Sequence, residues 1–215
     1  AASESGEKHN LEYMGHLKAM GEESTWLDEK DMKRITGSNY YLSGLLTPKT
    51  ITIQSAAYTR KFAEGLSRNI DIHENSPVLS LENNGGLWKA ITPKGSLTAP
   101  KVILSVNGHL QSFGFLKNRL MHVFLYASMT RELDRSEVRK LGGEPNWGVA
   151  PANPFGSSLR KICGTGGHRI LVRNKFHFST SLEASENDIN KAISDHDRSF
   201  NRRFPMLADV EMEYR

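Results

Sequence analysis

The residues best equipped for chemistry are few. Val106-Asn107-Gly108-His109 closes the oiliest extended run of the chain, Val102-Ile103-Leu104-Ser105-Val106, which lies between Pro100 and Gly108. A continuous apolar run of this length suits a strand covered on both faces. Ligands of open sheets gather beyond the carboxyl ends of such strands. Gly108 carries no side chain to keep a ligand away; the plainer alternative is a glycine that only turns a corner. A second group is aromatic and cationic: Tyr126, Arg160 and Arg173, with His122 nearby in sequence. An arginine in a half-buried sheet can grip a carboxylate with two parallel hydrogen bonds. The same arginines on strand edges would simply be solvated.

Other chemistries fail on motif grounds. The chain has no G-x-S-x-G elbow, no G-x-x-x-x-G-K-[ST] phosphate loop, no H-E-x-x-H and no paired-cysteine metal site, so no metal is expected. Cys163 has no activating base marked beside it and reads as a buried or bystander thiol. Gly164-Thr165-Gly166-Gly167 has the wrong spacing for a dinucleotide fingerprint, and it joins strands instead of opening a helix. It reads as a hairpin.

Periodicity supplies the elements that must position these residues. Leu11, Met14 and Leu17 predict a helix over 7–20, and Asp28 caps a second that stops at Gly37-Ser38-Asn39. Residues 40–46 read as a strand broken near Gly44. Ser55 is the expected cap of a helix over 56–67, with Tyr58, Phe62 and Leu66 along one face. Ile70-Asp71-Ile72-His73 alternates like a short strand. Residues 77–82, 87–92 and 96–99 then form an antiparallel meander around Asn83-Asn84-Gly85-Gly86 and Pro93-Lys94-Gly95. Its expected successor is the strand 102–106. The second half predicts strands over 122–129, 158–162 and 169–172, with 176–178 as a third after the hairpin, and a short helix over 136–141. Ser185 with Asp188 looks like a capping-box variant opening a long helix, 186–204, whose stripe Ile189, Ile193, Phe200 and Phe204 ends at Pro205. The fold class expected is α+β.

Composition sets the outer bounds. The 215 residues are 38% hydrophobic and 24% charged, as in an ordinary globular chain. No apolar run approaches ~18 residues, so no membrane partner is expected. A lone cysteine and the lack of a signal peptide predict a soluble, cytoplasmic protein. Lys plus Arg number 28 and Asp plus Glu 24, a net charge of +4, but the basic residues are scattered. Nucleic acid is therefore not an expected partner.

The ordered series Ile51 to Leu66, Glu74-Asn75-Ser76-Pro77-Val78, the Trp88 hairpin, Thr92-Pro93-Lys94-Gly95 and 102–108 resembles the FAD-dependent D-amino-acid-oxidase-like superfamily. Met121-His122-Val123-Phe124, Ser128-Met129-Thr130-Arg131 and Trp147-Gly148-Val149-Ala150-Pro151 look like its gamma-glutamylputrescine-oxidoreductase-type branch. The resemblance implies an α/β flavoprotein that oxidises a C–N bond of a small-molecule amine or amino acid by hydride transfer to FAD. By position, Val78 would meet the adenine end of FAD, and Asn107 and Gly108 would lie beside the cofactor. Gly44 and Leu45, after Tyr40-Tyr41, would pass close to flavin and substrate. Tyr41, Tyr126, Arg160 and Arg173 would stand in the substrate wall; no residue is assigned as catalytic. Residues 1–110 would be a partial FAD lobe with the meander, also carrying the substrate-lobe strand at 40–46, and 111–215 mainly the substrate lobe. The family's opening glycine fingerprint, whose helix binds the pyrophosphate, and its closing segment are not in these residues. The chain is thus expected to be an internal fragment, inactive and flavin-free alone, with apolar surface exposed for self-association. The competing expectation is a non-enzymatic binding module of the same fold.

Overall fold

The helix starts follow side-chain chemistry, and the first lies three residues ahead of the expected 7. Ser3 Oγ accepts from the Gly6 amide and opens α1 (Glu4–Ala19). Strand β1 (Thr25–Leu27) follows, then α2 (Glu29–Thr36), whose first turn is capped by Asp28 Oδ1 on the Asp31 amide at 2.9 Å. Gly37 ends α2 at φ 75°, in the left-handed region that favours glycine. Strand β2 (Gly44–Leu46) returns antiparallel to β1, with Trp26 opposite Leu45. The strand expected over 40–46 is therefore only its last three residues. Ahead of it, the Tyr40 amide bonds Ser38 Oγ, and Tyr41 turns into a cluster with Leu27 and Met32. The structure, a computed structural model, describes residues 1–48 and 50–215.

Residues Thr50–Met121 form one compact unit. It opens with α3 (Ser55–Leu66), capped by Gln54 in place of the expected Ser55: Gln54 Oε1 reaches the Ala57 amide. Tyr58 and Phe62 stack at 6.1 Å on a face left more than half exposed. The meander forms, with its first strand shifted from the expected 77–82: β3 (Ser80–Asn84), in which Asn83 and Asn84 join the ladder, β4 (Leu87–Thr92) and β5 (Gly95–Ala99), with Gly85 and Gly86 at positive φ in the first turn. Two expected strands are absent. Residues 70–73 and 102–106 make no ladder with any described residue, and Ile103 is 91% exposed instead of covered on both faces. An apolar run acquires strand pairing only where a neighbouring strand supplies donors and acceptors. Residues 107–113 then form a 3-10 helix.

The remaining elements, with Ala1–Lys49, form the other unit. They are β6 (Val123–Thr130), α4 (Arg135–Leu141), β7 (Trp147–Val149), β8 (Ser158–Gly164), β9 (Gly167–Phe178), α5 (Glu186–Arg203) and β10 (Met212–Tyr214). The five strands make an antiparallel sheet in the order β10-β6-β9-β8-β7. Gly164 pairs with Gly167, so the hairpin loop is Thr165-Gly166. Strand β9 unites the two strands expected after it, with a register shift opposite Leu125/Tyr126 where Lys175 sits at φ 63°. Ser185 Oγ caps the Asp188 amide of α5 at 3.2 Å and donates to Asp188 Oδ2 at 2.6 Å, side chain to side chain. Helix α5 packs Phe200 and Phe204 against Leu159, Ile170 and Val172 of the sheet, all at most 1% exposed.

The two compact units thus meet along the chain at 49/50 and 121/122. Residues 1–49 are tied to the sheet unit by their own bonds: Glu144 N donates to Ile35 O at 2.8 Å, and Ser38 Oγ to Arg203 O at 2.5 Å. A Cβ at Gly37 would drive into the Leu141 carbonyl. Gly37→Ala is accordingly expected to cost about 1–3 kcal/mol, adding positive-φ strain to that collision. Urea unfolding checks it, and an unchanged midpoint would refute the contact.

Candidate functional site

The five-stranded sheet has one face closed by α5 and another on which, among the described residues, Arg160, Arg173, Leu125 and Ala127 are exposed. Side-chain alternation assigns residues to each. Leu159 and Lys161 of β8, Ile170 and Val172 of β9, and Ser128 and Thr130 of β6 are buried on the α5 side. Arg160, Leu171, Arg173, Leu125, Ala127 and Met129 belong to the other face. Register places Arg173 opposite Ser158 and Arg160 opposite Leu171, so the two arginines are diagonal neighbours. Both are exposed, and neither side chain has an ion pair or hydrogen bond among the described residues. By contrast, Glu213 at the β10 edge of the sheet is taken by Arg169.

Arg173 also lines a concavity of about 160 Å³. Its other walls are Ala150, Pro151, Pro154, Gly156, Ser158, Asn174 and Phe176. The loop 150–157 is folded on itself: Asn153 Oδ1 takes the Phe155 amide at 2.9 Å and its carbonyl takes the Gly156 amide at 2.8 Å. Phe155 meets the Phe176 ring edge-on at 5.5 Å. A guanidinium beside apolar and aromatic walls is suited to a small carboxylate with an organic tail. The sequence carried this loop's turn chemistry in Pro151, Pro154 and Gly156, but not its place beside Arg173. A larger concavity of about 300 Å³ along α5 is different in kind, because Asp195 there already pairs with Lys175 at 3.0 Å and Arg198 at 3.3 Å.

The other residues singled out by sequence do not gather on this face. Tyr126 shares the α5 side with Ser128, and its hydroxyl is 2.8 Å from His177 Nδ1. His177 stacks between Tyr126 and Phe124, and its Nε2 lies 3.7 Å from Asp188. The Ser185 hydroxyl holds the Asp188 carboxyl below its ordinary value, while desolvation and then Asp188 raise the Tyr126 phenol. Tyr126 therefore does not share a wall with the two arginines. His122 is buried at 9% exposure. Tyr41 is 4% exposed; its hydroxyl has no hydrogen-bond partner among the described residues, and burial pushes its pKa up against the opposing pull of Arg203. Cys163, which sequence left without a base, faces His168 across the hairpin, Sγ to Nε2 at 3.5 Å.

The residues expected to touch FAD divide between the units. Val78, 40% exposed, Asn107, at φ 48°, and Gly108 lie in 50–121. Gly44 and Leu45 lie in β2. The space a Cβ would take at Gly44 is filled by the Met32 thioether, so that glycine makes room for the protein's own core. No glycine fingerprint opens a helix among the described residues, and α3 begins with a Gln54 cap instead. These residues do not amount to a pyrophosphate cradle. No group of His, Cys, Asp or Glu among the described residues could hold a metal, and no helix among them is long and apolar enough to cross a membrane.

Comparison with known proteins supplies the wider frame. The model of the family described as DAO, FAD dependent oxidoreductase, matches residues 1–215. No curated protein matches. Among solved structures, glycine oxidase from Geobacillus kaustophilus superposes with a TM-score of 0.71 at 14% identity, over 98% of this chain and 54% of its own. Glycine oxidase from Bacillus cereus ATCC 14579 gives 0.69 at 16% identity, over 99% and 56%. NikD, an unusual amino acid oxidase essential for nikkomycin biosynthesis, gives 0.61 at 14% identity, over 92% and 52% in its open form. The chain spans about half the length of these structures, and at such identities the likeness concerns fold.

Proposed function

The chain belongs to the DAO family of FAD-dependent oxidoreductases, and on that premise we propose that it is the substrate-binding part of an enzyme oxidising the C–N bond of a carboxylate-bearing amine. One observation carries the reading: Arg173, with no ion-pair partner among the described residues, lines a small concavity on the open sheet face walled by Pro151, Pro154 and Phe176 beside Ser158 and Asn174. The guanidinium orients the substrate by its carboxylate, and Phe176, Pro151 and Pro154 keep water from its tail. FAD would be the electron acceptor in the longer protein. Val78, Asn107 and Gly108 are in this reading peripheral contacts, and the 50–121 unit belongs to the cofactor lobe. Within the substrate class, the branch resemblance of 121–131 and 147–151 makes gamma-glutamylated amines the first compounds to examine.

The test is anaerobic mixing of the flavin-loaded longer protein with amino acids and gamma-glutamylated amines. Bleaching of the flavin band is expected, with Arg173→Met raising the concentration for half-maximal bleaching by at least about tenfold, as for loss of a charge-assisted bidentate bond. No bleaching with any carboxylate-bearing amine overturns the reading. Residues 1–215 alone are expected to elute colourless, since they hold no pyrophosphate cradle. A second reading, a binding module without redox chemistry, predicts a longer protein equally devoid of flavin.

A further inference from the structure

Arg160 and Arg173 are two like charges set side by side where nothing in the sheet balances them. Arg160 opposite Leu171 and Arg173 opposite Ser158 places them on the β8–β9 diagonal, with side chains within roughly 8 Å of each other at the Cβ atoms. Their shared face carries Leu125, Ala127, Met129 and Leu171, none of which can answer a positive charge. Glu213, on the β10 edge strand, is engaged by Arg169. Across β7 the partner of Arg160 is Gly148, so only backbone lies beside its stem. Such a pair repels itself in the empty state, and a ligand with one carboxylate can bond only one of the two guanidinium forks at a time.

We propose that the Arg160–Arg173 pair recognises two carboxylates on one short aliphatic chain, which makes a dicarboxylic amine the preferred substrate class and Arg160 the residue that sets the preference. The inference rests on the reading of the open face as the substrate wall. Arg173 takes the carboxylate nearest the reacting carbon, from within the concavity. Arg160, outside it, takes the distal carboxylate, and the methylenes between lie over Leu171. The planar forks fix both the spacing and the direction of the two groups, which a pair of lysines would not.

Titration of residues 1–215 with butyrate, glutarate and sulfate at constant ionic strength, followed by NMR of the arginine Nε–H groups, decides it. Glutarate is expected to bind at least about tenfold more tightly than butyrate, and sulfate, of equal charge but one centre, no better than butyrate. Arg160→Gln should bring glutarate to within about twofold of butyrate, weakening butyrate far less than glutarate; Arg173→Gln should weaken both. Equal binding of glutarate and butyrate, sulfate matching glutarate, or an Arg160→Gln variant that keeps the preference would overturn the proposal. Butyrate binding without glutarate preference leaves the carboxylate reading standing while this one falls. A glutarate preference in a protein whose flavin no amine reduces leaves this recognition standing while the oxidase reading falls.

Discussion

Phe204→Ala is expected to destabilise the sheet unit by about 3–5 kcal/mol, the range for deleting a fully buried phenylalanine from a core that cannot collapse around the hole. Phe204 is 0% exposed, with its ring centroid 5.4 Å from Phe200 and 6.1 Å from Trp147. It also holds a junction: its amide closes α5 on Phe200 O at 2.8 Å, and its carbonyl accepts from Leu207 N at 2.9 Å in the 3-10 turn of 205–207. Trp147, on the edge strand β7, would lose its ring partner from α5, so relaxation into the void means moving a strand. Ile189, first member of the same sequence stripe, is 39% exposed and should cost under about 1 kcal/mol when cut to alanine. Urea unfolding of the two variants makes the comparison; equal losses would mean that α5 does not seat its C-terminal half on the sheet.

That contrast shows what the sequence could and could not reveal. Helix ends often announce themselves locally, as Asp28 and Ser185 at two starts and Gly37 at one end show, although the cap expected at Ser55 belongs to Gln54. Hairpins do the same through Asn83-Asn84-Gly85-Gly86 and Gly164-Thr165-Gly166-Gly167. Strands such as β1, β7 and β10 are three residues long and exist only because a distant segment pairs with them, so periodicity had nothing to report. The reverse error has the same root: Val102–Val106 has the composition of a central strand, yet composition cannot supply a neighbour. At the candidate site, residue type was legible and side was not. Tyr126, Arg160 and Arg173 looked equivalent until register put Tyr126 with Ser128 beneath α5 and the arginines on the open face. A shift of one position in pairing reverses such an assignment.

His196→Leu is expected to cost about 2–4 kcal/mol, although leucine is the more hydrophobic residue. His196 is 1% exposed, and both ring nitrogens are engaged: Ser128 Oγ lies 2.7 Å from Nδ1, and the Asn174 backbone meets Nε2 at 3.3–3.4 Å. Leucine would strand these buried polar groups, and each unsatisfied group costs roughly 1–3 kcal/mol. The imidazole is held neutral, because burial lowers its pKa below 6.5 against the Asn174 contact and the carboxylates of Asp197 and Asp195. The sign of the pH effect follows. Below about pH 6.5 the unfolded chain protonates this histidine while the folded one does not, so stability is full above that pH and declines as pH falls toward the depressed folded value. The slope from this one group cannot exceed about 1.4 kcal/mol per pH unit. His196→Gln keeps a donor and an acceptor but carries no charge at any pH, so its unfolding free energy should fall less steeply than the wild type's between about pH 7 and about pH 5. Parallel curves for the two proteins would show that His196 takes up its proton in the folded state as readily as in the unfolded one.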